Sequence, residues 1–431
     1  MKFFTLAILL TAHLTVFGQF KNIKLADQVD GVYPPVEPSI TINKKNPKNI
    51  VAGVVLDRAI YSLDGGQTWS ESKLESSYGV YGDPALISDL KGDIYYFHLA
   101  DPSGQGRNNE AWLDRIVCQK STDGGMTWSD GASIGHNPPK DQDKPWPAVH
   151  PRKQYVYTTW TQFDKYGLDD PNCHSNIMFS VSTSAGKKWS KPVQINQNPG
   201  DCVDDDNTAE GAVPAIDNEG RVFVAWASHG NIYFDRSFDG GLTWLTNDLL
   251  IAKQEGGWAM DIPGLDRSNG MPVMMMDNSK GRLRNSLYLV WADQRNGTDD
   301  TDIWFMRSTN YGDMWTQPMR INQDEPGKHQ FLPWMSVDEG TGYIYIVYYD
   351  RRAYDDLQTD VYLAYSTDGG NTFTETKISE SPFIPSDTQF FGDYTNIAAY
   401  KGVIAPVWTR MDDGKTSVYT AIIKDTELLK K

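Results

Sequence analysis

The sequence predicts an all-β chain folded as a seven-bladed β-propeller. Three observations carry this expectation: a short turn pattern that recurs along the chain, paired β-like runs ahead of each copy, and a composition suited to short strands and tight turns.

The pattern reads Ser-x-Asp-x-Gly-x-Thr-Trp. Full copies begin at Ser62, Ser121, Ser237 and Ser366 and end on Trp69, Trp128, Trp244 and Phe373. Two reduced copies begin at Ser182, with Ser184 and Lys188 in the Asp and Thr places, and at Ser308, with Asn310 and Met314 there. The copies start roughly 60 residues apart, a period that suits one four-stranded blade with its loops. An aspartate in a hairpin turn accepts hydrogen bonds from the turn's own amides, glycine takes a positive φ, and the closing aromatic packs under the next strand. Asp64, Asp123, Asp239 and Asp368 are therefore read as structural staples and not as catalytic groups.

Two β-like runs precede each staple, residues 37–42 and 49–55 in the first unit, and further first strands start near Asp83, Lys144, Ala212, Met271 and Leu332. A seventh set, residues 393–399, 402–408 and 417–423, follows the last staple and lacks a fourth strand. The N-terminal stretch Asn22-Ile23-Lys24-Leu25 is expected to supply it, closing the ring and removing exposed sheet edges; six blades with the terminal strands as an appendage is the alternative.

The 37 glycines and 23 prolines, with abundant tyrosine and tryptophan, argue against a helical protein. A net charge of −16 argues against nucleic acid or anionic membranes as partners. Residues 1–18 have the layout of a secretory signal peptide, Met1-Lys2 followed by an apolar run to Gly18, so residues 19–431 are expected to form a single propeller domain that is secreted or periplasmic. No later run approaches the roughly 20 apolar residues of a membrane span, and a monomer is expected. Cys173 and Cys202, both in polar loops, are the candidate disulfide, while Cys118 lies in a strand as a buried free thiol.

The staples mark one face of the ring, so chemistry belongs to the opposite face, where loops lead into the first strands and leave the second strands. Glu37, Asp83, Asp143, Glu210, Asp393 and Tyr394 lead in and are the catalytic candidates, because several carboxyls facing one channel must bind a hydroxyl-rich ligand or a cation, or shift their pKa. Arg58, Lys144, Asp293, Arg295, Asp350, Arg351, Arg352 and Arg410 are the substrate-binding candidates, since carboxylates, guanidinium groups and aromatics together suit sugars. Each of them has a competing structural role, as a turn cap or an ion pair between blades. No cofactor is expected. Asp201, Asp204, Asp205 and Asp206 could hold calcium, although their spacing is not that of an EF-hand and a solvated acidic loop is the commoner outcome. The histidines lack zinc spacing, and no serine sits in a nucleophile elbow.

The six turn motifs resemble the Asp-box, or bacterial neuraminidase repeat, and the resemblance runs from about residue 36 to 423. It implies a sialidase-like propeller, a scaffold shared by sialidases, other glycosidases, sorting receptors and assembly factors. In sialidases of this superfamily a Phe/Tyr-Arg-Ile-Pro motif on the first strand supplies one of three arginines that grip the substrate carboxylate. Here that stretch reads Pro35-Val36-Glu37-Pro38-Ser39-Ile40, without the arginine. By loop position, Arg295, Arg351, Arg352 and Arg410 could form a clamp, and Tyr348, Tyr349 or Tyr394 with Glu37 or Glu210 could stand for the family's tyrosine and glutamate pair. The resulting expectation is a secreted sialidase-like glycoside hydrolase acting on an acidic or decorated glycan, with a non-catalytic glycan- or protein-binding propeller as the alternative.

Overall fold

The computed structural model describes residues 20–429; the expected leader, residues 1–18, lies outside the described residues. Six four-stranded antiparallel sheets follow one another along the chain, beginning with strands Ser39–Ile42, Ala85–Ser88, Asp141–Val149, Glu210–Ile216, Val273–Met276 and Gln330–Val337. They are termed blades 1 to 6. Blade 7 consists of Asn396–Tyr400, Val403–Asp412 and Lys415–Thr420, with Ile23–Asp27 as its outermost strand. The pairing Ile23↔Thr420 and Asp27↔Ser417 thus joins the two ends of the chain. The first strand of every blade touches that of the next, and blade 7 touches blade 1. Seven blades close the ring, which sets aside the six-bladed alternative. Among the described residues helix is confined to one short turn at Gly106–Asn108 and to Asp425–Leu428, and no helix there is long and apolar enough to cross a membrane.

The six turns explain how the blades hold one another. In the turn of blade 1, Asp64 accepts hydrogen bonds from the Ser62 hydroxyl (2.8 Å), the Thr68 amide (2.9 Å) and the Thr68 hydroxyl (2.6 Å). The reduced copies keep a poorer version: Ser184 accepts only the Lys188 amide (2.9 Å) and Asn310 the Met314 amide (3.0 Å) from the end of their turns. The closing aromatic packs back onto the preceding blade, contrary to the expected contact with the next strand: Trp128 lies edge-on to Tyr96 in its own blade, but Trp189 meets Phe97, Trp244 meets Phe179 and Trp315 meets Phe234, with centroids 5.2–5.7 Å apart. The glycine at the fifth position of each turn makes that approach feasible. Gly241 has φ +95°, and a Cβ there would stand 2.0 Å from the Phe179 ring.

Two features shape the opposite face. Lead-in residues Glu37, Asp83, Lys144 and Leu332 have φ of 48–52° immediately before a proline, a left-handed conformation that costs a non-glycine residue about 1–2 kcal/mol. In blades 3, 4 and 6 the first strand begins earlier than the sequence suggested, at Asp141, Glu210 and Gln330, and is then broken by a bulge that turns successive side chains toward the axis. Leu332 shares the kink without a polar side chain, so the kink belongs to the blade architecture, and it carries a carboxyl or an amine only at Glu37, Asp83 and Lys144.

On the axis itself, Trp146 of blade 3 and Trp334 of blade 6 meet with centroids 4.3 Å apart, and Tyr394 packs edge-on to Trp146 at 4.9 Å. This aromatic layer divides the axis. Beneath it a channel lined by the inner strands runs down to Lys44, Asn278 and Glu339, where the Lys44–Glu339 pair (2.7 Å) braces blade 1 to blade 6.

The glycine contacts yield a stability prediction. Gly241→Ala should cost on the order of 2–4 kcal/mol, whereas Gly240→Ala, with a positive φ but nothing within 3.8 Å, should cost about 1 kcal/mol. Equilibrium urea unfolding of the two variants checks the difference.

Candidate functional site

Above the aromatic layer lies a pocket of about 260 Å³ lined by Glu37, Asp83, Asp143 and Lys144 at its floor and by Tyr33, Tyr81, Arg107, Trp112, Tyr166, Arg267 and Phe390 around its wall. The kinked lead-ins of blades 1, 2 and 3 place the floor residues. The wall comes from six connections: Tyr33 from the segment before blade 1, Tyr81 from the link between blades 1 and 2, Arg107 and Trp112 from the second-to-third-strand loop of blade 2, Tyr166 from the same loop of blade 3, Arg267 from the loop between blades 4 and 5, and Phe390 from that between blades 6 and 7.

The floor is a lattice of buried charge. The Lys144 ammonium, 4% exposed, lies 3.1 Å from Asp393 and 3.8 Å from both Asp143 and Glu210. Arg267 grips Asp393 through two parallel hydrogen bonds, Nε to Oδ1 (2.8 Å) and a terminal nitrogen to Oδ2 (2.5 Å), and reaches Asp204 at 3.3 Å. Tyr166 donates its hydroxyl to Asp204 (2.7 Å), and the Asp393 amide donates to Glu37 (3.3 Å). Six carboxyls therefore share two cations, and their protonation diverges accordingly. Burial, with Asp393 close by, pushes Glu37 up to about 8. Burial and Asp143 push Asp83 well above the usual carboxylate range, and burial and Asp204 do the same to Glu210, whose two oxygens have no hydrogen-bond donor. Asp143 is raised by burial against the opposing pull of Lys144. Asp393 alone is lowered: burial opposes its ionisation, but Arg267 and Lys144 together outweigh it.

The structure thus brings together Glu37, Asp83, Asp143, Lys144, Glu210 and Asp393. Tyr394 sits just beneath them, buried in the aromatic layer, and burial next to Glu37 and Asp83 raises its phenol well above the ordinary value, so it stays neutral. The remaining candidates are not brought to this pocket. Arg58 pairs with Glu71 at a blade edge (2.8 Å). Arg295 pairs with Asp293 and lies over Trp304, Arg352 joins Asp350 and Glu375, and Arg410 joins Asp412. Arg351 bonds to the Pro263 carbonyl and the Thr359 hydroxyl. These arginines brace their own blades and neighbouring loops, and they form no shared clamp. Tyr348 likewise bonds to Glu375, and Tyr349 to the Thr409 carbonyl (2.8 Å).

Sequence reasoning missed Arg267, Arg107, Trp112 and Tyr166. One signal pointed to Arg267: the longest interval between staples, from Ser237 to Ser308, contains its loop. In the acidic run weighed for calcium, Asp204 pairs with Arg267 and Tyr166, Asp201 accepts from Thr208 (2.7 Å) and Asp206 accepts from the Ala259 amide (3.0 Å). Among the described residues no group of three or more His, Cys, Asp or Glu side chains is arranged to hold a metal ion. Cys173 and Cys202 form a disulfide with Cα atoms 5.7 Å apart, tethering the loop that carries Asp204, and Cys118 is a buried free thiol.

Residues 60–71 match the model of the BNR/Asp-box repeat. The chain is a seven-bladed β-propeller that carries a BNR/Asp-box repeat. An 89-residue stretch is 32% identical to a sialidase of Bacteroides fragilis (strain YCH46), covering 16% of this chain and only 16% of that protein. Among solved structures, the Asp-box propeller is similar to the Hadza microbial sialidase Hz136 (TM-score 0.50, 13% identity, 87% of this chain and 73% of that one). It is also similar to the GH93 α-L-arabinofuranosidase of Fusarium graminearum (0.52, 13%, 95% and 99%) and to a PL25 ulvan lyase (0.54, 12%, 94% and 96%). At these identities the likeness is one of fold.

The raised carboxyls make stability fall with pH. Glu37 ionises near 4.5 when unfolded and near 8 when folded, so its contribution is complete below pH 4.5 and is lost as pH rises through about 8. Melting curves should show the wild-type Tm declining across that window by several degrees, and Glu37→Gln, which cannot ionise, should flatten the decline.

Proposed function

We propose that this Asp-box propeller is a secreted glycoside hydrolase acting on an acidic or decorated glycan in the pocket over Lys144. The observation that carries the reading is the presence, in one concave site, of a carboxyl that stays protonated to about pH 8, Glu37, beside another, Asp143, that burial also raises but whose rise Lys144 opposes. Environments that push neighbouring carboxyls apart in pKa assign acid and base roles. In this reading Glu37 protonates the glycosidic oxygen as the bond to the departing alcohol breaks. Asp143, as carboxylate, attacks the anomeric carbon or removes a proton from an attacking water, while Asp83 shares a proton with it and Lys144 keeps the pair from acquiring a second one. Asp393, locked by Arg267 and Lys144, holds those two cations in place. The wall of Tyr33, Tyr81 and Trp112 suits the apolar faces of sugar rings. The disulfide supports export to an oxidising compartment.

The test is hydrolysis of neutral, uronyl and sialyl aryl glycosides by the purified protein. Turnover should appear on at least one class, fall as pH rises through about 8, and drop roughly 10²–10⁴-fold in Glu37→Gln and in Asp143→Asn with the fold intact by circular dichroism. Complete inactivity with retained binding to a glycan array would instead favour the non-catalytic binding propeller.

A further inference from the structure

We infer that the pocket takes a neutral sugar at its floor and reads an anionic group, a carboxylate or sulfate ester, on the adjoining sugar through Arg107 at its rim. This rests on the proposed glycan-binding role of the pocket and specifies where charge recognition lies within it.

The floor cannot serve an anionic sugar. It contains six carboxyls, and both of its cations are committed: Arg267 to Asp393 and Asp204, Lys144 to Asp393, Asp143 and Glu210. An incoming carboxylate would have to displace an internal one and would meet Glu37 and Asp83. Hydroxyl groups fit well there, since protonated and ionised carboxyls offer them both donors and acceptors.

The rim is the reverse. Arg107 lines the pocket and forms no ion pair among the described residues, and its guanidinium lies 5.4 Å from the Trp112 ring centroid and 5.3 Å from that of Tyr166. Packing between two aromatic rings orders the planar group while leaving its N–H edge to a ligand, the arrangement that binds an oxyanion with two parallel hydrogen bonds. Trp112, 6% exposed, lines the same pocket, and its buried indole N–H has no hydrogen-bond partner among the described residues.

The loop that presents Arg107 is itself built. Asp101, 5% exposed, accepts from the Gly104 and Gly106 amides (3.1 and 2.7 Å), the Ser103 hydroxyl (3.1 Å) and the Asn109 side chain (3.1 Å), so one buried carboxylate fixes the short turn carrying the arginine. Asp101 is a positioning residue for this subsite.

The experiment uses a printed array of oligosaccharides with a neutral terminal sugar next to a uronate or a sulfated sugar, each beside its carboxyl-reduced or desulfated counterpart, together with sialyl-capped glycans. The full chain should bind the anionic members at least tenfold more tightly than their neutralised counterparts, and sialyl-capped glycans no better than background. The carboxyl and sulfate arms show which oxyanion is read. Arg107→Ala should erase the preference, bringing the anionic members down to the level of their neutralised counterparts. Asp101→Asn should weaken it several-fold, and Arg107→Lys, a point charge without the planar fork, should restore it only in part. Equal binding of charged and neutralised members, capture of sialyl caps, an Arg107→Ala loss common to all spots, or no binding at all would overturn the inference. Binding is read without turnover, so inactivity on every glycoside with the Arg107-dependent preference intact would defeat the hydrolase reading alone.

Discussion

Closure of the ring is the constraint on which the rest of this protein depends. A blade leaves edge strands on both sides and cannot bury its faces alone, so each sheet is stable only between two others, and the first must meet the last. The chain satisfies this by pairing Ile23–Asp27 with Lys415–Thr420. Once the circle is complete, seven first strands surround one axis, and residues far apart in sequence, from Glu37 to Asp393, become neighbours. The pocket is a product of that convergence, since no single blade supplies more than two of its floor residues.

Much of this was legible in the sequence because the staples are local objects. Their aspartates bond within the turn that bears them, so a short pattern suffices to find them, to set the period and to locate the stapled face. The floor carboxyls were legible at one remove, since counting strands from each staple gives the lead-in that must face the other side. The direction of the aromatic contact was not legible. Trp244 reaches back to Phe179 because the twist between neighbouring sheets, which no local pattern encodes, decides which blade lies under the ring.

The arginines show the same limit more sharply. Asp293 with Arg295, Asp350 with Arg352 and Arg410 with Asp412 form a repeated pattern that invites a common site, yet each pair is satisfied within its own blade. A residue that finds its partner two positions away has no need of the axis. Arg267 and Arg107 stand in irregular loops with no periodic context, and their importance follows from where those loops fold back, which long-range packing determines. The electrostatic character of the floor is likewise a tertiary property: burial raises Glu37, Asp83 and Glu210, while Arg267 and Lys144 lower Asp393 against its own burial.

The aromatic layer formed by Trp146, Trp334 and Tyr394 has a topological consequence. A propeller axis is often imagined as a tunnel, but here three rings stand across it. The cavity above them and the channel beneath them share no lining residue, so the ring encloses two compartments rather than one bore.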